Sequence, residues 1–404
     1  MRSRFENIPF DFCLKTKQEN LKILNKKTFN NFMSKIDNYE IVRQKLSLGS
    51  LYAPKHKKIF ELMKILWNEE EIEIISKFEG ADKYTSLKSL EESTGIPRDK
   101  LVLILDGLYD KGTIAKVENV YGLVPILPGI FEKYFIRRND SEENLVKVAE
   151  LFKWYFRNFL PPFLVDTNLK FFRPRLPVNA KEKLIEIDES LDVESQILPY
   201  ELVSQLIDNY EVFTVIPCQC RLIAEYTGDP CQVAPAEMGC FLAGDGARSS
   251  IERGAPKLNK EEAVEYLKKT EKAGLIHHCV ADSSIESTLF VCNCCSCHCG
   301  ALVAAKEHKY YATLASNYTP KINDDLCTKC EICLNKCPMG VIYHKLPNEP
   351  DSSDERMFIN EDYCLGCGVC AANCPNDAIR LVKVRDNIPK EKFKIGTKTF
   401  TELI

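Results

Sequence analysis

The chain has 404 residues, 45% hydrophobic and 28% charged, a balance that excludes a disordered, collagen-like or coiled-coil chain as a whole and leaves room for roughly two to four domains. Its 54 basic and 58 acidic residues give a net charge of -4, which makes no electrostatic case for nucleic acid or an anionic membrane as the main partner. No apolar run reaches the ~18 residues of a membrane span, and the start reads as no secretory leader, so the expectation is a soluble, cytoplasmic protein.

Residues 1–57 form a Lys- and Asn-rich arm with scattered helical periodicity at Phe29, Phe32, Met33 and Ile36, and Pro54 is a candidate boundary. From 58 to 127 the pattern is sharper. IFELMKILW and EEIEIISKF read as helices. Ser86 or Ser89 can open a further helix, Gly95 marks a turn, and Pro97 suits the first turn of the next helix. In that last helix Leu101, Leu105 and Leu108 recur at helical spacing before Gly112 ends it, and TIAKVENVYGLVPIL alternates as a two-stranded wing. Together these segments resemble a winged helix-turn-helix domain. Lys58 to Pro125 nevertheless holds 9 basic and 13 acidic residues, 9 - 13 = -4, and the segment in the recognition position carries Asp99, Asp106 and Asp110 against Arg98, Lys100 and Lys111. Phosphate contacts need a basic face, so DNA is not the expected partner and a packing module is.

A helical connector follows at 128–215. Its aromatic helix NLVKVAELFKWYFRNFL is expected to stop at Pro161 and Pro162, with Phe152, Trp154, Tyr155, Phe156 and Phe159 packed into the core rather than facing a partner or membrane surface. A second helix is expected at PYELVSQLIDNY.

Of the 19 cysteines, 18 lie between Cys218 and Cys374, and only Cys13 precedes them. In a reducing compartment, thiols clustered in this way point to metal rather than to disulfides. Residues 216–319 hold ten of them, nine of which are candidate metal ligands: Cys218, Cys220, Cys231, Cys240, Cys292, Cys294, Cys295, Cys297 and Cys299, the last five in the run VCNCCSCHCG. Cys13 and Cys279 read as ordinary small buried side chains. Between the two thiol groups, LNKEEAVEYLKKTEKAGLIHHCV reads as a helix capped by Asn259 with Glu262 three residues on, stopped at Gly274 and followed by a strand. Soft thiolates at this density suit at least one further iron–sulfur cluster or structural zinc, with a reactive dithiol pair as the remaining option and His298 as a less favoured ligand. AGDGARSSIERGAP, around Gly244 and Gly246, lacks the third glycine of a dinucleotide fingerprint and reads as a plain loop. His277 and His278 read as packing or hydrogen-bonding residues.

The region 320–384 contains a repeat offset by 37 residues, INDDLCTKCEICLNKCPMGVI beside INEDYCLGCGVCAANCPNDAI. Each copy reads C-x2-C-x2-C-x3-C-P, and every cysteine superposes. This run resembles the bacterial two-cluster ferredoxins, in which the fourth cysteine ligates the other copy's 4Fe-4S cluster. The resemblance implies one cluster on Cys327, Cys330, Cys333 and Cys374 and a second on Cys364, Cys367, Cys370 and Cys337. Gly366 and Gly368 would allow close backbone approach, and Pro338 and Pro375 would turn the chain away. Zinc at two sites of four cysteines each would not need the third x2 step or the Cys-Pro endings. The insertion HKLPNEPDSSDERM lengthens the loop between copies, where it can alter partner docking but not cluster binding. Residues 385–404 form a tail.

PCQCR, CFLAG, the EEA helix ending in GLIH and the CNCC tail also resemble the middle region of a group of ferredoxin-domain proteins, a likeness spanning residues 60–384. The expected fold is therefore α+β and multidomain: a winged-helix-like N-terminal domain, a cysteine-rich middle domain and a C-terminal ferredoxin-like domain. With no nucleotide or flavin fingerprint, the expected function is iron–sulfur electron transfer between a low-potential donor and a partner oxidoreductase, in anaerobic redox metabolism. The alternatives are a redox-sensing winged-helix regulator and an iron–sulfur enzyme with a catalytic middle cluster.

Overall fold

The computed structural model describes residues 38–185, 197–282, 285–308, 312–347, 355–390 and 392–403. Phe29, Phe32, Met33, Ile36, Cys13 and the centre of the HKLPNEPDSSDERM insertion lie outside the described residues. Residues 38–45 are helical, and Tyr39, Val42 and Leu46 are buried in the same cluster as the helix that follows, so this stretch is built into the core.

The N-terminal module runs α1 (Lys57–Leu66), α2 (Glu69–Ser76), β1 (Tyr84–Ser86), α3 (Leu87–Thr94), α4 (Arg98–Lys111), β2 (Ala115–Val117) and β3 (Val120–Gly122). Local chemistry sets these limits. Asn68 and Glu71 close a capping box on α2, Ser86 accepts from the Ser89 N–H at the start of α3, and Gly95 and Gly112 end α3 and α4 in the left-handed conformation. The strands form an antiparallel sheet in the order β1-β3-β2, with Val117 opposite Val120 at the hairpin. Leu101, Leu105 and Leu108 point into the core.

Three helices follow: α5 (Phe131–Arg137), α6 (Glu142–Trp154) and α7 (Leu160–Thr167). Pro161 and Pro162 do not stop the aromatic helix. Residues 155–159 continue it as a wider turn, and the prolines occupy the first turn of α7, where no intrahelical donor is lost. Phe152 and Tyr155 are buried, and a chain of ring contacts runs from Phe131 through Phe152 and Phe156.

The middle region is built on an antiparallel six-stranded sheet of β4 (Phe172–Pro174), β5 (Phe213–Ile216), β6 (Cys240–Gly244), β7 (Lys257–Leu258), β8 (Ile276–Val280) and β9 (Thr288–Cys294), in the order β4-β8-β9-β6-β5-β7. Besides a short helix at Val203–Ile207, its helices among the described residues are α8 (Gln219–Tyr226), α9 (Asp245–Glu252), α10 (Lys260–Ala273) and α11 (Gly300–His308). α10 has the Asn259–Glu262 capping box and a left-handed Gly274. The segment expected as a plain loop after Gly244 is instead α9. Only Ala247 is buried on it, and Asp245 pairs with Arg248 one turn on, so its apolar stripe is too narrow to register as periodicity.

In the C-terminal region β10 (Tyr318–Ile322) pairs antiparallel with β13 (Ile379–Lys383), and β11 (Ile342–Lys345) with β12 (Arg356–Ile359). Two short helices, α12 (Ile332–Lys336) and α13 (Val369–Ala372), occupy corresponding places in the two copies. This half docks on the end of α10: Asn373 Nδ2 donates to the Glu271 carbonyl at 2.9 Å and Lys336 Nζ to the Ala273 carbonyl at 3.4 Å. The tail then returns across the molecule, ending with Phe400 against Phe172 and Phe290.

Candidate metal centres

The two cysteine copies fold so that their fourth members cross over. Cys327, Cys330 and Cys333 line one pocket together with Cys374, while Cys364, Cys367 and Cys370 line another together with Cys337. The loops that carry them share a backbone solution. In the second copy Gly366 (φ 63) and Gly368 (φ 76) flank Cys367 in the left-handed region, and in the first copy the equivalent positions around Cys330 are Lys329 (φ 56) and Glu331 (φ 59). The glycines answer a local constraint, because a Cβ on Gly366 would lie 2.0 Å from the Tyr318 carbonyl oxygen and one on Gly368 2.7 Å from Pro177 Cδ. Turning the chain this way aims amides at sulfur: the Gly366 N–H lies 3.4 Å from Cys364 Sγ and the Ala378 N–H 3.3 Å from Cys374 Sγ. Burial pushes the thiols of Cys333 and Cys364 up to about 11, so ionising them in place calls for the positive charge of a metal.

In the middle region the nine thiols divide. Cys220, Cys218, Cys240, Cys292, Cys294 and Cys299 follow one another as neighbouring thiols around a cavity of about 80 Å³. They come from four places in the chain. Cys218 and Cys220 sit at the entry to α8, Cys240 begins β6, Cys292 and Cys294 share one face of β9, and Cys299 precedes α11. Gly239 makes the assembly possible, since a Cβ there would lie 2.1 Å from the Ile216 carbonyl and 2.3 Å from the Cys218 nitrogen. Among these six, the neighbouring thiols of Cys220 and Cys240 and the Arg221 guanidinium hold the Cys218 thiol well below its ordinary value.

Cys231, Cys295 and Cys297 gather instead with His298, all four ligand atoms within 4.8 Å of one another, although Cys295 also touches the cavity. Arg221, fully buried, lies between the two groups. Burial opposes its charge, but the sulfurs of Cys218, Cys295, Cys240 and Cys231 outweigh that and hold it more firmly protonated. Its amino groups donate to the carbonyls of Asn293 and Met238. Cys279 joins neither group and is buried on β8 in the apolar cluster under α10.

Three other residues at or near the cavity were not singled out as functional from sequence, and of these Glu132 lines it. His277 is held by Asn293 at 2.7 Å and Glu271 at 3.0 Å, as a packing residue should be. His278, opposite Cys292 in the strand register, is different: it is fully buried, neither ring nitrogen has a hydrogen-bond partner among the described residues, and a ring nitrogen lies within 4.8 Å of the Cys294 and Cys299 sulfurs. Burial and the charges of His277 and Arg175 push it down to about 3, so it is neutral and offers a lone pair. Glu132 lines the same cavity, which is otherwise walled by Phe131, Phe156, Phe172 and Phe400. Burial raises its carboxyl to about 7 against the opposing hydrogen bond from the Gly129 N–H. The sole signal in the sequence was the adjacency of Arg221 to PCQC and of His278 to a strand end; Glu132 lies far from any cysteine in the chain.

Residues 326–378 match the family model of the 4Fe-4S dicluster domain. No curated protein matches the chain. The chain therefore contains an iron–sulfur domain of the dicluster class, which implies 4Fe-4S clusters, together with a separate cysteine-rich region able to hold further metal. Among the described residues no helix is long and apolar enough to cross a membrane.

Proposed function

We propose that the protein is an electron-transfer protein of a reducing, cytoplasmic compartment that carries two 4Fe-4S clusters in its C-terminal domain and a further iron–sulfur centre in the six-thiol ring. One cluster is held by Cys327, Cys330, Cys333 and Cys374 and the other by Cys364, Cys367, Cys370 and Cys337. The observation that carries this reading is the crossed grouping of the eight cysteines around two pockets. The clusters supply one-electron chemistry; the chain supplies thiolates, directed amides and burial, which together set potential. Leu365 and Val369, beside the second pocket, belong to the same buried apolar cluster as Cys294, Cys299 and Leu302, which links the two metal regions. A redox partner protein completes the circuit.

Anaerobic purification followed by iron and sulfide analysis and electron paramagnetic resonance of the dithionite-reduced protein tests this. About twelve irons per chain are expected at four per cluster, with two interacting paramagnets from the C-terminal pair. A folded protein with no reducible paramagnet defeats the proposal, and about eight irons confines it to the ferredoxin domain.

The N-terminal module is proposed to be winged-helix-like and used for packing within the chain. Two guanidiniums clamp Tyr109 on α4, Arg137 at 4.0 Å and Arg253 at 5.1 Å from the ring centroid, and Arg253 also pairs with Asp110 at 3.6 Å. A helix occupied in this way, with an acidic surface, is a poor reader of DNA. No gel shift at low salt with bulk genomic DNA is the expected result.

A second reading has one specific observation in its favour. The six-thiol cavity offers more sulfur than a four-iron cluster requires and places a carboxyl poised near neutrality against an aromatic wall, as a catalytic centre would. Turnover of a small substrate with an artificial reductant would promote it.

A further inference from the structure

We infer that Cys231, Cys295, Cys297 and His298 bind one zinc ion, separate from the iron–sulfur centre of the six-thiol ring, and that this ion positions the ring. The inference rests on the reading that the middle cysteines bind metal, and it assigns the nine thiols to two different kinds of site.

The compactness of the group argues for a single ion. All four donor atoms lie within 4.8 Å of one another, and Cys231 Sγ and Cys297 Sγ are 3.3 Å apart. Around one tetrahedral zinc with bonds of about 2.3 Å, donor atoms are separated by about 3.8 Å. In a cubane each thiolate binds its own iron at a different corner, which spreads the sulfurs further and calls for a cavity. The six-thiol ring surrounds such a cavity.

The histidine is arranged as a ligand. His298 Nδ1 faces Cys297 Sγ at 3.1 Å, and its Nε2 faces Asp229 Oδ2 at 3.5 Å. A carboxylate on the far nitrogen fixes the tautomer that leaves Nδ1 free to ligate, the support that metal-binding histidines usually have. Asp229 is itself oriented by Lys153 at 3.4 Å. Three thiolates and a neutral imidazole on a divalent ion leave one negative charge, and Arg221 lies beside Cys231 and Cys295 to balance it. A backbone amide also points at sulfur, the His298 N–H lying 3.4 Å from Cys295 Sγ.

The positioning role follows from chain connectivity. Cys294 and Cys295 are consecutive, one in each group, and Cys297 and Cys299 again fall one to each. An ion holding Cys295 and Cys297 to Cys231, which lies on the loop after α8, fixes both ends of the turn that presents Cys294 and Cys299 to the ring.

The test uses the full chain purified anaerobically, with zinc and iron measured together and zinc release to a chromophoric chelator followed in time. The expected results are one zinc per chain, its loss in Cys297→Ser, and release accelerated about 10- to 100-fold in Asp229→Asn, the usual cost of removing an outer partner of a metal-bound histidine. Cys297 and Asp229 are both exposed at the surface, so these changes spare the core. Cobalt exchanged into this site should give the visible bands of a tetrahedral thiolate ion that vanish in Cys297→Ser. In that variant the paramagnets of the C-terminal pair remain, while the signal of the ring centre broadens or is lost. Zinc absent from the wild type, zinc retained in Cys297→Ser, or four irons lost from it in place of zinc would each overturn the inference. Absence of iron with zinc present would instead defeat the electron-transfer reading and leave this site standing.

Discussion

The two cysteine-rich regions solve one problem, gathering sulfurs around a common centre, in opposite ways. In the C-terminal domain three of every four thiols come from one seven-residue loop, and only the fourth crosses over. In the middle region, ring neighbours are separated by as much as the distance from Cys240 to Cys292 along the chain, and a six-stranded sheet brings them together. The first design concentrates its information in spacing and local backbone, the second in strand register. They should accordingly fail in different ways.

The largest effect should come from Gly366→Ala. The added carbon collides with the Tyr318 backbone, and relieving it means moving β10 or the loop. We expect a loss of more than about 4 kcal/mol in that domain and disappearance of its clusters, seen as iron per chain and in thermal unfolding. The equivalent position in the first copy sharpens the point: Lys329→Gly exchanges the ~1–2 kcal/mol left-handed cost of a side chain for glycine's greater freedom when unfolded, and should shift stability by no more than about 1 kcal/mol.

Next in size is Arg221→Met. Removing a buried guanidinium from between two sets of thiolates leaves their charge unbalanced, a loss on the order of 3–5 kcal/mol, and metal should leave the middle region while the C-terminal clusters stay. Loss from both regions together would show that they do not fold as separate metal sites.

Glu132→Gln probes the cavity through pH. The folded carboxyl is raised from 4.5 to about 7, so protonation is favoured by the fold: stability is complete below pH 4.5 and falls as pH climbs through 7. Glutamine cannot ionise, and its carbonyl can still accept from the Gly129 N–H. The variant should match the wild type at pH 4 and exceed it by up to about 3 kcal/mol at pH 8, measured by denaturant unfolding at the two pH values. A constant difference across that range would remove Glu132 from consideration as a buried acid.

The smallest effect is expected for Tyr109→Ala. It releases two stacked guanidiniums at the junction of the N-terminal module with the middle region, for about 1–2 kcal/mol, and should leave DNA retardation absent. A gain of DNA binding on this change would mean that the clamp masks a reader.

Elements whose limits depend on a cap and a run of leucines were legible in the sequence. Ser86, Gly95 and Gly112 delimit α3 and α4, and Asn259 and Gly274 delimit α10, because capping is a contact between residues three or four apart. The prolines at 161 and 162 misled because proline both ends one helix and opens the next, and its neighbours do not say which. α9 was missed because a single buried alanine carries no period.

The chain's spelling alone determined that it holds a dicluster iron–sulfur domain, since there the ligands, the turns and the repeat all lie within short reach of one another. Only the tertiary structure decided how the nine candidate thiols of the middle region divide, that His298 joins Cys231, Cys295 and Cys297 in the smaller group, and that Arg221, His278 and Glu132 attend the larger one. Those relations run through β-sheet register and through close approach at Gly239, contacts between residues far apart in the chain that no local pattern encodes.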